Sequence, residues 1–345
     1  MTPTTAPLRD TLLKLCRRED LTRDEAREAF THVMSGDATE AQIGGLLVGL
    51  AAKGTTVDEL VGAAVVMRDK AVTIECDSTA GVIIDTCGTG GDVRGTFNIS
   101  TAAAIIVAAA GVRVVKHGNR SASSKSGSAD VLETLGVKLD LGPLELKRCL
   151  HAAGICFAFA RYHHPAMKYV ASARTSLGIP TIFNVLGPLT NPAKAKHQLL
   201  GVFAADLTDR LAAVLQQLGS ERAWVVHAVD GLDELSTIGP TRVSELRDGH
   251  IQTWMLDPAK LGLPYARLSD LQVSSVEEAA DHLRRVMAGE GGPMRDIALL
   301  NAAAGLVIAG KCRDLKDGLV AAADAIDSGR ARRTLESLVK SSRLE

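Results

Sequence analysis

Apolar positions in the first 75 residues recur at helical spacing, and polar signals introduce most of the runs. Residues 8–16 form a short amphipathic stretch. Thr22 followed by Glu25 reads as a capping box, in which hydroxyl and carboxylate each take a backbone N–H at a helix start. Thr39 opens a Gly/Ala/Leu-rich run to residue 52, and Thr56 with Glu59 repeats the capping pattern ahead of 60–67. No strand candidate precedes residue 80, so this part predicts a small helical unit. The pattern then changes. Residues 81–86 are a short β-branched run ending in a Gly-rich loop, 88–95, and residues 100–110 follow as an Ala-rich helix. A second β-branched run, 111–115, ends in a polar loop, 116–128; a helix is expected over 129–135 and an extended segment over 136–139. Strand, loop, helix, strand at this spacing predicts βαβ units and a mainly parallel sheet.

Later strands are expected over 156–159, 198–202, 223–227, 243–246 and 250–254, with helices from residue 276 onward, of which 297–309 is the most apolar. Residues 165–186 read as helix and turn and are expected to return to the helical unit. The fold class expected is α/β: a small all-helical N-terminal domain plus a large α/β domain with a mainly parallel central sheet. The helical domain would be residues 1–75, joined by about 165–195. The α/β domain would be 76–164 and 196–345.

Composition narrows the class. With 46% hydrophobic and 23% charged residues in 345, the chain is an ordinary globular protein. Its net charge of -1 argues against a nucleic-acid binder, which more often carries a basic excess. The six cysteines show no CxxC spacing and read as reduced, buried thiols of a cytoplasmic protein. The start lacks the basic and apolar regions of a signal peptide. The most apolar stretch, 102–110, is too short to span a bilayer.

Four segments carry candidate chemistry. The first is Gly88-Thr89-Gly90-Gly91-Asp92, followed by Thr96-Phe97-Asn98-Ile99-Ser100-Thr101. Glycine tolerates positive φ and lets a ligand approach the backbone. The helix start that follows offers N–H groups and a dipole suited to phosphate, with Asn98, Ser100 and Thr101 as side-chain donors. A tight turn with an ordinary helix cap is the structural alternative. Val93 stands where a dinucleotide fingerprint needs glycine, and no P-loop motif is present. The second segment runs from Lys116-His117-Gly118-Asn119-Arg120 through Ser121-Ala122-Ser123-Ser124 to Ser128. Loops at the C-terminal ends of parallel strands share one crevice, so it should face the first. Its cations, amide and hydroxyls suit an anionic, oxygen-rich ligand; a solvated Ser-rich loop is the alternative, and His117 fits a structural role equally well.

The third segment is Asp230-Gly231-Leu232-Asp233-Glu234, after the strand at 223–227. Adjacent carboxylates at a strand end suit Mg²⁺, although read alone they also fit a charged surface turn. The strand ends well before Asp233, which disfavours the type I phosphoribosyltransferase fold, where the acidic pair sits directly at a strand end. The fourth segment centres on Arg174, in an otherwise uncharged stretch before Gly178-Ile179-Pro180. A guanidinium there suits a bidentate carboxylate partner or a salt bridge between the two units. His163-His164 has no i,i+4 partner, so no zinc site is expected.

Taken together, the strings GTGGD with TFNIST, KHGNRSASSKSGSADVLETLG, HPAMK, TIFNVLGPLTNPA and DGLDELS stand in one order and resemble the anthranilate phosphoribosyltransferase family over about residues 10–340. Pyrimidine nucleoside phosphorylases share that fold but differ in the second string. Two departures stand out. Val93-Arg94 replaces the small residues usual after GTGGD, adding a cation. Residues 273–288 lack the family's Gly-rich, Glu-Asn-Ala pattern and are expected to lie away from the chemistry.

The resemblance implies transfer of the phosphoribosyl group of 5-phosphoribosyl 1-diphosphate to the anthranilate amine, the second step of tryptophan biosynthesis from chorismate. It implies that Gly88, Thr89, Gly91, Asp92, Thr96, Asn98, Ile99, Ser100 and Thr101 bind the diphosphate substrate. Lys116, His117, Gly118, Asn119, Arg120, Ser121, Ala122, Ser123, Ser124 and Ser128 would complete that site. Ser100, Asp233 and Glu234 would hold Mg²⁺, two ions per subunit, while Gly88, Asn119 and Arg174 hold anthranilate. No general base is assigned, because an aryl amine needs none before attack. A homodimer through the helical unit is also implied. Two other classes stay open. A nucleoside phosphorylase-like enzyme is disfavoured by Arg174 and the acidic pair. A non-catalytic nucleic-acid-binding relative is disfavoured by the net charge and the intact 88–92 loop.

Overall fold

Four helices open the chain: α1 (Arg9–Cys16), α2 (Arg23–Ser35), α3 (Glu40–Lys53) and α4 (Val57–Asp69). The computed structural model describes residues 8–77, 81–91, 94–120 and 126–344. Capping boxes start three of these helices, with Thr22 and Glu25, Thr39 and Gln42, and Thr56 and Glu59 each exchanging side-chain and backbone bonds. Glu59 is fully buried, and its carboxylate is satisfied by the Leu21 N–H (2.9 Å), the Thr56 N–H (2.8 Å) and Lys53 Nζ (3.1 Å). A buried charge is tolerable only when paired in this way. Here it ties the entry to α2, the end of α3 and the start of α4 together.

The remaining elements alternate. They are β1 (Ile83–Asp85), α5 (Ile99–Ala109), β2 (Arg113–Gly118), α6 (Ser128–Thr134), α7 (Pro143–Ala153), β3 (Ile155–Phe159), α8 (Ala160–His163), α9 (Lys168–Leu177) and α10 (Phe183–Leu186). Then come β4 (His197–Gly201), α11 (Leu207–Gln217), β5 (Arg222–Ala228), β6 (Thr241–Arg247), β7 (His250–Leu256), α12 (Val276–Met287), α13 (Pro293–Ile308), α14 (Leu315–Asp327) and α15 (Arg330–Ser342). The strands form one seven-stranded sheet in the order β3-β2-β1-β4-β5-β6-β7. Strands β1 to β5 are parallel, while β6 and β7 are antiparallel. The chain steps from β1 out to β3 and returns on the other side of β1, so Ile84 pairs with both Val114 of β2 and His197 of β4. The order reverses between β1 and β4, and ligands of such sheets bind beyond the strand ends at that switch point.

Side chains alternate between the sheet faces with period two. Leu199, Trp224, Val226 and Val243 join a core with α5, α7 and α12 to α15. Leu200, Val202, Ala223, Val225 and Leu246 join a second core with α11, the N-terminal helices, α9 and α10. The segment containing α9 and α10 packs on α2, with Phe30 and Phe183 edge to face at 5.8 Å.

The structure departs from the sequence reading at several points. β2 runs on through Lys116, His117 and Gly118, pairing with β3 as far as Gly118↔Phe159, where a loop was expected. Residues 136–139 are not a strand: the Val137 N–H bonds Leu132 O and the Lys138 N–H bonds Ser342 Oγ, so their donors serve helix ends. The cysteines are unpaired, but only Cys87, Cys149 and Cys156 are buried, whereas Cys16 is exposed at the end of α1. No described helix is long and apolar enough to cross a membrane.

Candidate functional site

The loop leaving β1 is bound to the loops leaving β4 and β5. Gly88 bridges Gly201, the Thr89 N–H donates to Gly201 O (2.8 Å), and the Phe203 N–H donates to Thr89 Oγ1 (3.2 Å). The Gly90 N–H donates to Asp233 Oδ2 at 3.0 Å. A Cβ on Gly88 would lie 2.9 Å from that carboxylate oxygen, and one on Gly201 would collide with Asp233 O. The acidic segment therefore rests on two strand-end glycines that no other residue could replace without moving it. Gly90 and Gly91 have φ of 59° and 121°, which glycine adopts without strain. Asp92 lies outside the described residues.

The start of α5 forms the next wall. Asn98 caps the helix with φ -76° and ψ 76°, the inverse γ-turn, and the Ile99 N–H is held by Phe97 O at 2.8 Å. The Asn98 side chain exchanges hydrogen bonds with Ser126, both at 3.2 Å, which joins the first polar segment to the second. Ser100 is half-buried, and its Oγ accepts from Lys116 Nζ at 3.2 Å. Ile99 and Thr101 are buried. Thr96 pairs with Gln272, the Phe97 N–H bonds Leu271 O, and the Val273 N–H bonds Gly95 O (both 2.9 Å). Residues 271–273 thus buttress the Gly-rich loop, and the expectation that the segment from 273 onward lies away from the chemistry is corrected at its first residue.

Lys116 is 2% exposed, and its ammonium also donates to Thr86 O at 2.8 Å. Burial lowers its pKa, while the nearby charges of Asp85, Glu234 and Asp233 favour the ammonium. Asp85 is fully buried; Oδ1 accepts from the His117 N–H (3.1 Å), and Oδ2 from Asn191 Nδ2 (2.7 Å) and the Cys87 thiol (3.2 Å). Burial raises the Asp85 pKa, against the pull of Lys116 and these donors. His117 is buried too, and burial with His164 and His163 beside it pushes its pKa well below the usual value. Its Nδ1 lies 3.1 Å from Gly187 O, which fixes the proton there and leaves Nε2 as a bare acceptor with no partner among the described residues.

The acidic pair is reached from several sides. Asp233 is 8% exposed and Glu234 half-buried. The Asp230 carboxylate holds the Leu232 N–H at 3.1 Å and so turns the loop. Arg94 lays its guanidinium on Gly231, where it would collide with a Cβ. The cation that departs from the family pattern thus packs on the acidic loop. Among the described residues, no cluster of three or more His, Cys, Asp or Glu side chains could hold a metal. The two carboxylates and the Ser100 hydroxyl are hard oxygen donors, and this set fits Mg²⁺, which keeps waters and substrate oxygens in its shell.

Arg174 lies on α9, half-buried, with its guanidinium 5.4 Å from the Phe183 ring centroid. It makes no ion pair with any described residue, so the salt bridge entertained from the sequence is not formed. Burial lowers its pKa, the mark of a cation that has lost water without gaining a carboxylate. The chain beyond Phe183 returns to β2 at Gly187, and Pro188 O accepts from Gln198 Nε2 at 2.7 Å.

The structure does not draw every expected residue inward. Arg120 is paired with Asp130 (2.7 Å) and Glu133 (2.8 Å) and sits over Phe159, lining a separate cavity of about 510 Å³. The Asn119 side chain caps the Arg120 N–H at 2.8 Å, and Ser128 Oγ bonds Asn119 O at 3.3 Å and packs against Gly118. Ser121, Ala122, Ser123 and Ser124 lie outside the described residues. The sequence reading missed Asp85 and Gln198. A lone acid closing a β-branched run was the available signal for Asp85.

Residues 80–332 match the description "Glycosyl transferase family, a/b domain", and residues 9–71 match "Glycosyl transferase family, helical bundle domain". The chain is 52% identical over 328 residues to an anthranilate phosphoribosyltransferase of Parvibaculum lavamentivorans, covering 95% of each. It resembles the crystal structure of anthranilate phosphoribosyltransferase from Thermus thermophilus, with a TM-score of 0.91 and 41% identity over 97% of this chain and 100% of that one. It also resembles the Saccharomyces cerevisiae enzyme in complex with PRPP and Mg, with a TM-score of 0.87 and 28% identity over 97% of this chain and 98% of that one.

Proposed function

We propose, because the chain belongs to the anthranilate phosphoribosyltransferase family, that it transfers the phosphoribosyl group of 5-phosphoribosyl 1-diphosphate (PRPP) to the amine of anthranilate, releasing diphosphate. The observation that carries the reading is a division of charge. Lys116 and the acidic pair flank the glycine loop at the switch point, and Arg174 stands on the helical side with no carboxylate partner among the described residues.

PRPP occupies the crevice formed by residues 88–91, the start of α5 and the end of β2. Its departing diphosphate gathers negative charge, which the buried Lys116 ammonium and the loop N–H groups meet. Ser100, Asp233 and Glu234 hold Mg²⁺, two ions per subunit, which when bound neutralise charge on the diphosphate. Arg174 pairs with the anthranilate carboxylate, and Asn119 and the Gly88 backbone complete that pocket. The acceptor amine then faces C1 opposite the leaving group, and inversion follows. Positioning contributes more here than proton abstraction, since the amine already carries a lone pair.

Residues 1–75 with about 165–195 act as one unit. Arg174 lies on it, and the PRPP loops lie on the other, so closure assembles the site. Ala41, Val48, Ala51 and Ala52 stand exposed along α3, an apolar stripe that suits a homodimer of the helical units. The cytoplasm is the expected compartment.

Diphosphate release tests the reaction. It should equal anthranilate consumed, mole for mole, and stop when Mg²⁺ is chelated. Release of diphosphate at the same rate without anthranilate, or cleavage of a pyrimidine nucleoside by phosphate, would contradict the assignment.

A further inference from the structure

We infer that Asn301 is a positioning residue for the acidic pair, setting the metal and diphosphate affinity of the site from within the core of the sheet's opposite layer; the inference rests on the proposed role of Asp233 and Glu234. Asn301 lies on α13 and is fully buried. Its side-chain amide bonds twice to the residue that directly follows the acidic segment. Oδ1 accepts from the Leu235 N–H at 3.0 Å, and Nδ2 donates to Leu235 O at 2.8 Å. This is how a neighbouring strand would pair with an extended residue. The second Nδ2 hydrogen goes to Ile297 O, one turn back on the same helix, at 2.9 Å. Both donors are therefore used, and the rotamer is locked to the helix backbone.

Leu235 follows Glu234 directly, so the clamp fixes the backbone from which both carboxylates project. The same helix is gauged against α5, because a Cβ on Gly305 would lie 2.8 Å from Val107 Cγ2. α13 thus sits under the helix that carries Ser100 and under the loop that carries Asp233 and Glu234. Asn301 is the polar link by which that common support holds the loop. An apolar side chain there would leave the Leu235 N–H and C=O without partners. The loop would then seek other bonds, and the three oxygen donors would lose their mutual spacing.

Residues that orient ligands of a metal typically change its affinity by about 10- to 100-fold when replaced. Asn301→Leu and the milder Asn301→Ser should therefore raise the Mg²⁺ concentration for half-maximal rate and the PRPP KM by about tenfold or more. The anthranilate KM should stay near wild type, and excess Mg²⁺ should restore most of kcat. Leu306→Val is the control: it thins the buried packing of the same helix at a side chain with no hydrogen bond to offer the loop, and it should lower the Tm while leaving the Mg²⁺ requirement alone. If Asn301→Leu does not fold, Asn301→Ser decides. A folded Asn301 variant with wild-type Mg²⁺ requirement and PRPP KM would overturn the inference, as would an equal shift in Leu306→Val. A wild-type protein whose turnover ignores Mg²⁺ would instead overturn the role given to Asp233 and Glu234.

Discussion

Replacing Asp233 and Glu234 together by alanine is expected to lower Mg²⁺-dependent kcat by about a thousandfold or more, with the fold retained. Metal neutralisation of a leaving diphosphate is worth several kcal/mol, and about 4 kcal/mol corresponds to three powers of ten in rate. The two carboxylates also balance the buried Lys116 ammonium, so their loss removes the counter-charge on one side of it. Asp85 stays in place beneath it, and Leu235 stays clamped by Asn301. The loop backbone therefore stays anchored without the acidic side chains, although the Gly90 N–H loses its bond to Asp233. Steady-state rates across a Mg²⁺ titration, with circular dichroism to verify folding, check this. Activity close to wild type in the double variant would remove both residues from the site.

Arg174→Ala is expected to raise the KM for anthranilate by about 10- to 100-fold, the worth of one or two charge-assisted hydrogen bonds. The KM for PRPP should change by less than about threefold, since no described residue of the two loops assigned to the diphosphate bonds Arg174. Little stability should be lost, because the guanidinium has no described ion-pair partner and contacts mainly the Phe183 ring. Full kinetics with each substrate varied in turn separate the outcomes. Equal effects on both constants would contradict the division of labour between Arg174 and the crevice.

The parts of this fold that were legible in the sequence are those set by local chemistry. Thr22 with Glu25 and Thr56 with Glu59 announce helix starts within four residues, and the structure forms both capping boxes. The Gly-rich loop after 81–86 was legible for the same reason. The second half of β2 was not, because Lys116 and His117 look like loop residues until their partners are known. Those partners, Asp85, Ser100 and Gly187, are 16 to 70 residues away. The pairing of residues 271–273 with the Gly-rich loop is likewise non-local, and so is the clamp of Asn301 on Leu235, 66 residues apart. α7 carried readable signals, Pro143 in its first turn and Gly154 at its C-cap, and the sequence reading left them unassigned.

The most direct test of the central claim is anthranilate fluorescence followed over time with the purified protein, PRPP and Mg²⁺. A steady loss of signal is expected when protein and both reagents are present together with anthranilate, and none when the protein, PRPP or Mg²⁺ is left out. An unchanged signal from well-folded protein in the complete mixture would contradict the assigned reaction.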